Sequence, residues 1–476
     1  MIDSVTALTV RQQAVVEALQ HELSTGSVLV GEPVTSRPAG VWRSDTVQAP
    51  VLLRPDSPAG VATALRACAA EGQPVVTHGG LTGLVAGALT GPEDIVLSTE
   101  RLQQLTPVDV ANRTLLAEAG VTLQAAQVCA AEAGLMLALD LGARGSCTLG
   151  GVAATNAGGH QVLRYGMARE QILGVEAVLA DGTVVSSLTG VLKNNAGYDL
   201  KQLFIGTEGT LGIITRVMLR LRPRWKTQET ALVACRDFDS VIDLLNTLDG
   251  ELGGTLSAFE VFWQDFYRLV GRGGGPLAAD CPYYVLVEAL GSHPATDAER
   301  FADALAQATA SGWVHDAVIC QSGRERDALW KLRDSVELTL EQGPAAIFDV
   351  SLPIADMEAY IARVRTGLRS EWGSDFRLWV FGHAGDGNLH LVVGVGAGSP
   401  AEQRRAEACV YAPLATVGGS ISGEHGIGLE KKRWLPVSRD RAELDTMRRL
   451  KRALDPDNLL NPGRVVDVPA GAGPRA

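Results

Sequence analysis

The residue types best suited to metal chemistry stand in two glycine-bracketed stretches of the C-terminal half. One spans residues 381–390 (FGHAGDGNLH) and the other spans 422–428 (SGEHGIG). His383, His390 and Glu424 form a ligand set suited to Zn²⁺ or a similar divalent ion, with positions left open for a substrate. A single histidine is more often an ordinary core residue. Three of the eight histidines fall in these two stretches, however, which favours a metal site.

Two polar residues lie between the paired histidines. Asp386 follows a glycine and precedes another, so we expect its side chain to shape the turn through local hydrogen bonds. Asn388 could do the same, but we retain it as a candidate substrate ligand.

Three glycine-rich clusters in the N-terminal half could surround a large ligand. They span residues 78–87 (HGGLTGLVAG), 140–159 and 193–214. Glycines at the end of a strand let backbone N–H groups turn towards phosphate oxygens without interference from side chains. The first cluster alone is a weak signal, because its spacing is not the GxGxxG of a nicotinamide-binding unit. Ser, Thr and Asn in the second cluster add donors that could wrap a polar ligand.

Secondary structure must position these clusters. The sequence predicts alternating strands and helices over the first hundred residues and a less regular mixture of the two after them. Periodicity predicts helices over 4–25, 58–71 and 122–133, and strands near 51–55, 73–77 and 95–98. Asp181-Gly182 predicts a hairpin turn between two strands. We expect an α+β protein of three parts, with boundaries at 1–225, 226–415 and 416–476. The tail after Val468 is expected to be disordered.

Composition narrows the class of protein. The chain has 476 residues, enough for more than one core, and a formal net charge of −12, which disfavours nucleic acid as a partner. Its seven cysteines are widely spaced without a CxxC pair, which suits reduced thiols in a cytoplasmic protein. The N-terminus lacks the pattern of a signal peptide, and no apolar run is long enough to predict a transmembrane segment.

The three glycine-rich clusters, in this order, resemble the FAD-binding domain of the vanillyl-alcohol oxidase / p-cresol methylhydroxylase superfamily. The stretch 205–215 (IGTEGTLGIIT) is a highly specific part of the match. The resemblance implies a two-subdomain FAD-binding domain, an α+β substrate cap domain and a C-terminal segment that returns to the flavin. It also implies FAD-binding residues, here with non-covalent FAD expected: Thr77, His78, Gly79, Gly80, Leu81, Thr82, Gly83, Leu84, Ser146, Gly150, Thr155, Gly158, Ile214 and Asn461. His78 and Leu81 depart from the usual residues of the first loop.

The two metal-type stretches resemble the branch of this superfamily formed by D-2-hydroxyglutarate and D-lactate dehydrogenases and the glycolate oxidase large subunit. The resemblance implies that His383, His390 and Glu424 bind the metal and that His425 is the catalytic base. A metal on the C2 hydroxyl of a D-2-hydroxy acid would lower the pKa of that hydroxyl, and the hydride would pass to FAD. Arg333, in the sequence Trp-x-x-Arg, matches the position that binds the substrate carboxylate, for which a planar guanidinium is suited.

Two departures from this branch concern the rest of the substrate. Ile347 replaces a frequent Lys, and Val392 replaces an Asn found in several members. Losing a cation and an amide makes the predicted pocket more apolar. This disfavours a dicarboxylate such as D-2-hydroxyglutarate and favours a monocarboxylate with an aliphatic or aromatic tail.

The resemblance also implies partners. Because the chain carries no haem or iron–sulfur motif, we expect electrons to leave to a soluble electron-transfer flavoprotein or a quinone-linked acceptor, and we expect a homodimer. Two alternatives remain open: a non-redox FAD enzyme of the alkylglycerone-phosphate synthase type, and a non-catalytic FAD subunit of an electron-transfer complex. The four residues of the metal and base positions argue against both.

Overall fold

The computed structural model describes residues 8–272 and 274–468. The strands, in chain order, are β1 Val28–Val30, β2 Val51–Leu53, β3 Val75–His78, β4 Ile95–Ser98, β5 Thr114–Glu118, β6 Leu135–Met136, β7 Ile172–Val178, β8 Val184–Ser187, β9 Ile213–Arg220, β10 Arg222–Pro223, β11 Thr227–Cys235, β12 Leu256–Trp263, β13 Tyr283–Gly291, β14 Asp316–Ile319, β15 Ala346–Ser351, β16 Phe376–His383 and β17 Asn388–Val395.

The α-helices are α1 Val10–Leu19, α2 Glu32–Thr35, α3 Pro58–Ala70, α4 Leu123–Glu132, α5 Leu149–Thr155, α6 Val162–Tyr165, α7 Ala168–Gln171, α8 Phe238–Leu252, α9 Gln264–Val270, α10 Asp297–Ala310, α11 Gly323–Asp334, α12 Glu337–Leu340, α13 Met357–Trp372, α14 Pro400–Tyr411, α15 Leu435–Ser438 and α16 Arg441–Leu454. Within the described ranges, no helix is both long and apolar enough to cross a bilayer.

The chain divides into two compact units. The first comprises residues 1–158, 167–224 and 424–476, and the second comprises 159–166 and 225–423. The predicted boundaries at 225/226 and 415/416 stay predictions, while the compact units divide at 224/225 and 423/424. The expected disorder of residues 469–476 lies outside the described residues.

The first unit contains two four-stranded sheets. In the order β1-β2-β4-β3, strands β2 and β3 run parallel to β4, whose residues are all buried. Continuous burial is typical of a parallel strand covered on both faces. The second sheet, β5-β9-β7-β8, is antiparallel. Val178 pairs with Val184 across Asp181-Gly182, and Gly182 adopts a φ of +80°, so the predicted hairpin is confirmed.

The second unit is built on one seven-stranded antiparallel sheet in the order β14-β11-β13-β12-β16-β17-β15. Helices α9 and α11 supply Phe266 and Leu329 to a core that also holds Phe381 of β16 and Val392 of β17, and Trp330 of α11 packs against this core. The predicted α+β fold class is therefore confirmed.

One helix is shorter than the periodicity predicts. The expected helix over 4–25 is α1, Val10–Leu19. A capping box sets its start, because Thr9 Oγ1 accepts from the Gln12 N–H while the Gln12 side chain accepts from the Thr9 N–H. Residues 4–7 of the prediction lie outside the described residues, and the prediction was wrong over 8–9 and 20–25, where the apolar pattern continues but the chain is not helical.

Candidate flavin cleft and metal centre

A cleft of about 430 Å³ lies in the first unit, where β3 ends. Its lining residues come from all three segments of this unit. Those among the predicted cofactor residues are Thr77, Gly79, Gly80, Leu81, Thr82, Gly83, Leu84, Gly150, Thr155, Gly158, Ile214 and Asn461. The cleft also includes Glu424 and His425, so one surface gathers the three clusters and the residue predicted as base.

Two glycines of the loop after β3 lie too close to neighbouring atoms for a side chain. A Cβ on Gly80 would lie 2.0 Å from the Ser146 carbonyl oxygen, and one on Gly79 would lie 2.8 Å from Thr148 Oγ1. No side chain fits at either contact. Leu81 and Ala86 then adopt φ values of +57° and +58°, which turn the loop back along the cleft. The residue types of this loop therefore follow from close contacts.

The cleft fits a dinucleotide with many phosphate and hydroxyl groups. Thr77 Oγ1 is buried at its edge and has no hydrogen-bond partner among the described residues. Such an atom is normally satisfied, so it indicates a polar ligand there. Residues that could hold FAD are those of the glycine loops around it. The prediction for each of these residues stays a prediction.

Two predicted cofactor residues have side chains outside the cleft lining. The Ser146 side chain is exposed, and the carbonyl of this residue is the group that contacts the Gly80 backbone. The His78 imidazole is buried and its Nε2–H donates to the Ala88 carbonyl at 2.8 Å. This hydrogen bond turns the ring of His78 into the protein.

His78 should make stability sensitive to acid. Burial lowers the pKa of His78 from 6.5 to about 4. As the pH falls through this interval the unfolded chain takes up the proton first, so the free energy of unfolding decreases. We expect a decrease from His78 of about 3 kcal/mol, and a smaller acid sensitivity in His78→Gln, whose amide can still donate to Ala88. Denaturant unfolding across this pH range measures the effect. The exposed His21→Gln should retain the wild-type slope, and equal slopes in all three proteins would contradict the assignment.

Asn461, near the C-terminal end of the chain, is hydrogen-bonded to two loops of the first unit. The Asn461 Oδ1 atom accepts from the Thr77 N–H at 2.8 Å, and its Nδ2 donates to the Glu208 carbonyl. Nearby, Lys451 donates to the carbonyls of Thr210 and Leu460. Asn461 thus joins two of the cleft-lining loops.

Glu208 is a residue of this cleft to which the sequence assigned no role. Its carboxylate accepts from the N–H groups of Ile427 at 2.7 Å and Gly428 at 2.8 Å. Burial raises the pKa of Glu208, while these N–H groups oppose the rise. Glu208 therefore holds the turn that follows Glu424 and His425. The sequence did contain a signal for this role. Glu208 is the one charged residue of the glycine-rich stretch 205–215, and a charge in such a stretch indicates a specific partner.

The paired histidines lie on the sheet of the second unit. His383 ends β16, and His390 on β17 faces Phe381 of β16. Both imidazoles are buried, their ring centres are 5.3 Å apart, and a ligand atom of one lies within 4.8 Å of a ligand atom of the other. The left-handed turn at Gly387, with a φ of +88°, reverses the chain between the two strands. The predicted turn thus brings the histidines to one face.

Each of these histidines has a buried carboxylate beside it. His383 Nδ1 is 2.6 Å from Glu260 Oε1, and His390 Nδ1 is 3.9 Å from Asp349 Oδ1. A carboxylate that is hydrogen-bonded to the ring orients an imidazole and increases its basicity as a metal ligand, and the contact at His383 is of this kind. The contact at His390 is longer than a hydrogen bond and is an ionic contact only. The donor set therefore fits a divalent metal, with His383 and His390 as the residues of this unit that could hold it.

Asp349 also organises the polypeptide around His390. Its carboxylate accepts from the side chains of Asn388 and Ser422 and from the N–H of Gly423, at 2.7, 3.2 and 3.0 Å. Glu424 is the next residue along the chain. Asn388 Oδ1 is buried without a partner in the described part of the chain, which is consistent with a polar ligand near this turn.

Arg333 is buried near the end of α11. Its Nε donates to Glu260 Oε2 at 2.9 Å and its Nη2 donates to His383 Nε2 at 3.0 Å. Burial alone would raise the pKa of Glu260, but His383 and Arg333 hold it well below its usual value. The structure places this guanidinium beside one predicted metal ligand. Substrate binding by Arg333 stays a prediction.

The two departures from the family pattern face each other. Ile347 on β15 pairs directly with Val392 on β17, two pairs along from Asp349 and His390 and therefore on the same face. Val392 is fully buried, while 41% of Ile347 is exposed. An apolar pair thus borders the polar face that carries the histidines.

Comparisons with known proteins agree with these features. Residues 49–187 match the family model of an FAD binding domain, and residues 224–465 match that of the C-terminal domain of FAD linked oxidases. Together the two matches cover most of the chain and confirm the predicted cofactor.

The chain is similar over most of its length to curated proteins. It is 39% identical to the mitochondrial D-2-hydroxyglutarate dehydrogenase of Rattus norvegicus, over 88% of this chain and 78% of the rat protein. It is 33% identical to D-2-hydroxyglutarate dehydrogenase of Stutzerimonas stutzeri, over 95% of this chain and 98% of that protein.

Solved structures at lower identity share the fold. A p-cresol methylhydroxylase structure with bound substrate superposes with a TM-score of 0.73 at 15% identity, covering 97% of this chain and 98% of that one. An alkyldihydroxyacetonephosphate synthase superposes with a TM-score of 0.72 at 16% identity, covering 94% and 85%. These likenesses concern the fold alone, and they agree with the predicted fold.

The relatives over most of the chain confirm the predicted enzyme class, an FAD-dependent D-2-hydroxyacid dehydrogenase. With family matches to an FAD binding domain and to the C-terminal domain of FAD linked oxidases over most of its length, the chain belongs to the family of FAD-linked oxidases.

Proposed function

We propose that this chain oxidises the C2 hydroxyl of a D-2-hydroxy acid to the 2-oxo acid with the assistance of a divalent metal. The observation that carries the proposal is the second unit's pair of histidines, each next to a buried carboxylate, with a buried guanidinium on His383. Imidazole pairs of this kind bind metal, and a guanidinium binds carboxylate. The substrate class contains both a hydroxyl for the metal and a carboxylate for the cation.

Each residue has a role in this proposal. His383 and His390, with Glu424, hold the metal, which when bound lowers the pKa of the substrate hydroxyl. Arg333 binds the C1 carboxylate, and Asn388 Oδ1 accepts a hydrogen bond from the substrate, since both amide N–H groups of Asn388 already donate to Asp349 and Val350. His425 takes the hydroxyl proton as the C2 hydride leaves. Bound FAD would supply the acceptor for that hydride, and a soluble electron-transfer flavoprotein or a quinone-linked acceptor would be the onward electron partner.

For the tail of the substrate we propose an apolar group. The relatives' names make D-2-hydroxyglutarate the obvious comparison. A second carboxylate beside Ile347 and Val392 would lose water without gaining a partner from either side chain. A short aliphatic or aromatic tail would bury apolar surface there instead.

An anaerobic screen of flavin absorbance tests the proposal. In protein loaded with FAD and Zn²⁺, we expect D-2-hydroxy acids to bleach the flavin and their L enantiomers to leave it oxidised. Within the D series we expect a higher kcat/KM for apolar tails than for D-2-hydroxyglutarate. The opposite order would refute the proposed tail alone. If no hydroxy acid bleaches the flavin of the metal-loaded protein, the proposed reaction is wrong. A non-redox or non-catalytic role would then explain the FAD-binding domain better.

A further inference from the structure

Glu260 is a buried ionisable residue of the second unit to which the proposed reaction gives no role. It lies on β12, directly opposite His383 of β16 in the antiparallel register, and is 1% exposed. Burying a carboxylate is costly unless it is paired and hydrogen-bonded. The hydrogen-bond partners of Glu260 therefore determine what this residue can do.

Glu260, His383 and Arg333 are hydrogen-bonded to one another in a closed triangle. Oε1 accepts from His383 Nδ1 at 2.6 Å, and Oε2 accepts from Arg333 Nε at 2.9 Å. Arg333 Nη2 completes the triangle by donating to His383 Nε2 at 3.0 Å. A guanidinium can only donate, so His383 Nε2 must accept and the ring proton must sit on Nδ1, facing Glu260.

This arrangement determines which imidazole nitrogen is available. The Nδ1–H tautomer leaves its lone pair on Nε2, the atom that a metal would need. A metal at Nε2 would use the lone pair to which Arg333 Nη2 donates. The bond from Arg333 Nε to Glu260 uses a different donor, and it keeps the guanidinium beside the site in either case.

We propose that Glu260 is a positioning residue that serves both halves of the site, because it holds His383 in its metal-binding tautomer and anchors Arg333 next to it. This inference rests on the proposed function. It adds that one buried carboxylate couples metal affinity to the binding of the substrate carboxylate.

Glu260→Gln tests the coupling with almost no change in volume. An amide oxygen can accept from only one of the two partners, and the amide NH₂ then faces the other donor. Loss of such an outer carboxylate typically lowers metal affinity by about 10–100-fold. We expect a loss of that size for Zn²⁺, together with a raised KM for the hydroxy acid.

The matched control is Glu288→Gln. Glu288 lies on the adjacent strand β13, is 5% exposed, and accepts from Trp330 Nε1 and from Gln228 and Thr230, none of them a proposed metal ligand. The same change there should leave Zn²⁺ affinity within about twofold of wild type. If the loss came only from removing a buried charge from this sheet, Zn²⁺ affinity would fall equally in Glu260→Gln and Glu288→Gln, and that result would contradict a specific role for Glu260.

The measurement is Zn²⁺ affinity of the full FAD-loaded chain by competition with a chromophoric chelator, followed by KM for a bleaching D-2-hydroxy acid. Bound FAD absorbance serves as the check of folding. If Glu260→Gln does not accumulate, Glu260→Asp keeps the charge but shortens its reach, and it should show a smaller loss in the same direction.

Two outcomes separate the inference from the proposed function. A wild-type protein that binds no Zn²⁺ and is not bleached overturns both. Wild-type protein that binds Zn²⁺ and is bleached, with unchanged Zn²⁺ affinity in the Glu260 variants, overturns the positioning role alone.

Discussion

His425→Ala is expected to lose reduction of FAD by a D-2-hydroxy acid by about 10²–10⁴-fold, the usual contribution of a general base. FAD and Zn²⁺ should remain bound. His425 lines the flavin cleft beside Glu424, and the turn that follows is held by Glu208 through the backbone N–H groups of Ile427 and Gly428. Those bonds do not depend on the side chain at 425, so the change should remove a proton acceptor and leave the turn intact.

Stopped-flow reduction of the flavin under anaerobic conditions gives the rate of this step directly. His21→Ala, at an exposed histidine of the same unit, should reduce at the wild-type rate. A fast reduction retained in His425→Ala would remove this residue as the base. Loss of flavin from the variant would instead assign His425 to the cofactor site.

Replacing His390 by Gln is expected to abolish metal binding and to slow flavin reduction on the order of a thousandfold, since a bound metal supplies several kcal/mol in reactions of this kind. The amide keeps most of the ring's volume next to Phe381 but is a poor ligand for Zn²⁺. FAD should stay bound, because every residue that lines the flavin cleft belongs to the first unit and His390 belongs to the second.

Metal analysis, flavin content and the reduction rate test this prediction together. A chelator should reproduce the loss in the wild-type protein, and added Zn²⁺ should restore activity there but not in His390→Gln. His293→Ala, at an exposed position of the second unit, is the control. Full activity in chelator-treated protein with no detectable metal would exclude metal assistance, while the FAD-dependent enzyme class would stand.

The features that could be predicted from sequence depend on local geometry. The hairpin at Asp181-Gly182 and helix α3, which begins at Pro58 after the Ser57 cap, follow from preferences of a few adjacent residues. The glycine loop after β3 is similar, because a Cβ would meet the Ser146 backbone at Gly80 and the Thr148 hydroxyl at Gly79. Motifs of this kind also carry the family resemblance, which is why the cofactor and the enzyme class could be predicted.

The partners of the site residues could not be predicted in this way. Glu260 lies 123 positions from His383, and Arg333 lies 50 positions from it. Only the antiparallel pairing of β12 with β16 and the packing of α11 bring the three together. Glu208, which holds a turn some 219 positions later, was missed for the same reason.

His78 shows the same limit at a single residue. Its place after β3, at the start of a glycine loop, suggested contact with the cofactor, yet the ring turns inward to Ala88. The spacing of residues predicts where the backbone of a segment lies, and in a strand it also predicts which side chains share a face of the sheet. The rotamer that a side chain adopts depends on which acceptors the folded chain offers, and these come from residues distant in sequence.

The amino-acid sequence alone was enough to predict the family, and it also singled out the glycine loops and the residues suited to a metal, because each is encoded in short runs with strict steric or chemical demands. The tertiary fold decided which carboxylates stand behind the histidines, where the guanidinium of Arg333 is bound, and that Ile347 and Val392 are neighbours. The physical reason is that burial removes water as the default partner, so each buried charge takes its partner from whatever the sheet and helices place next to it.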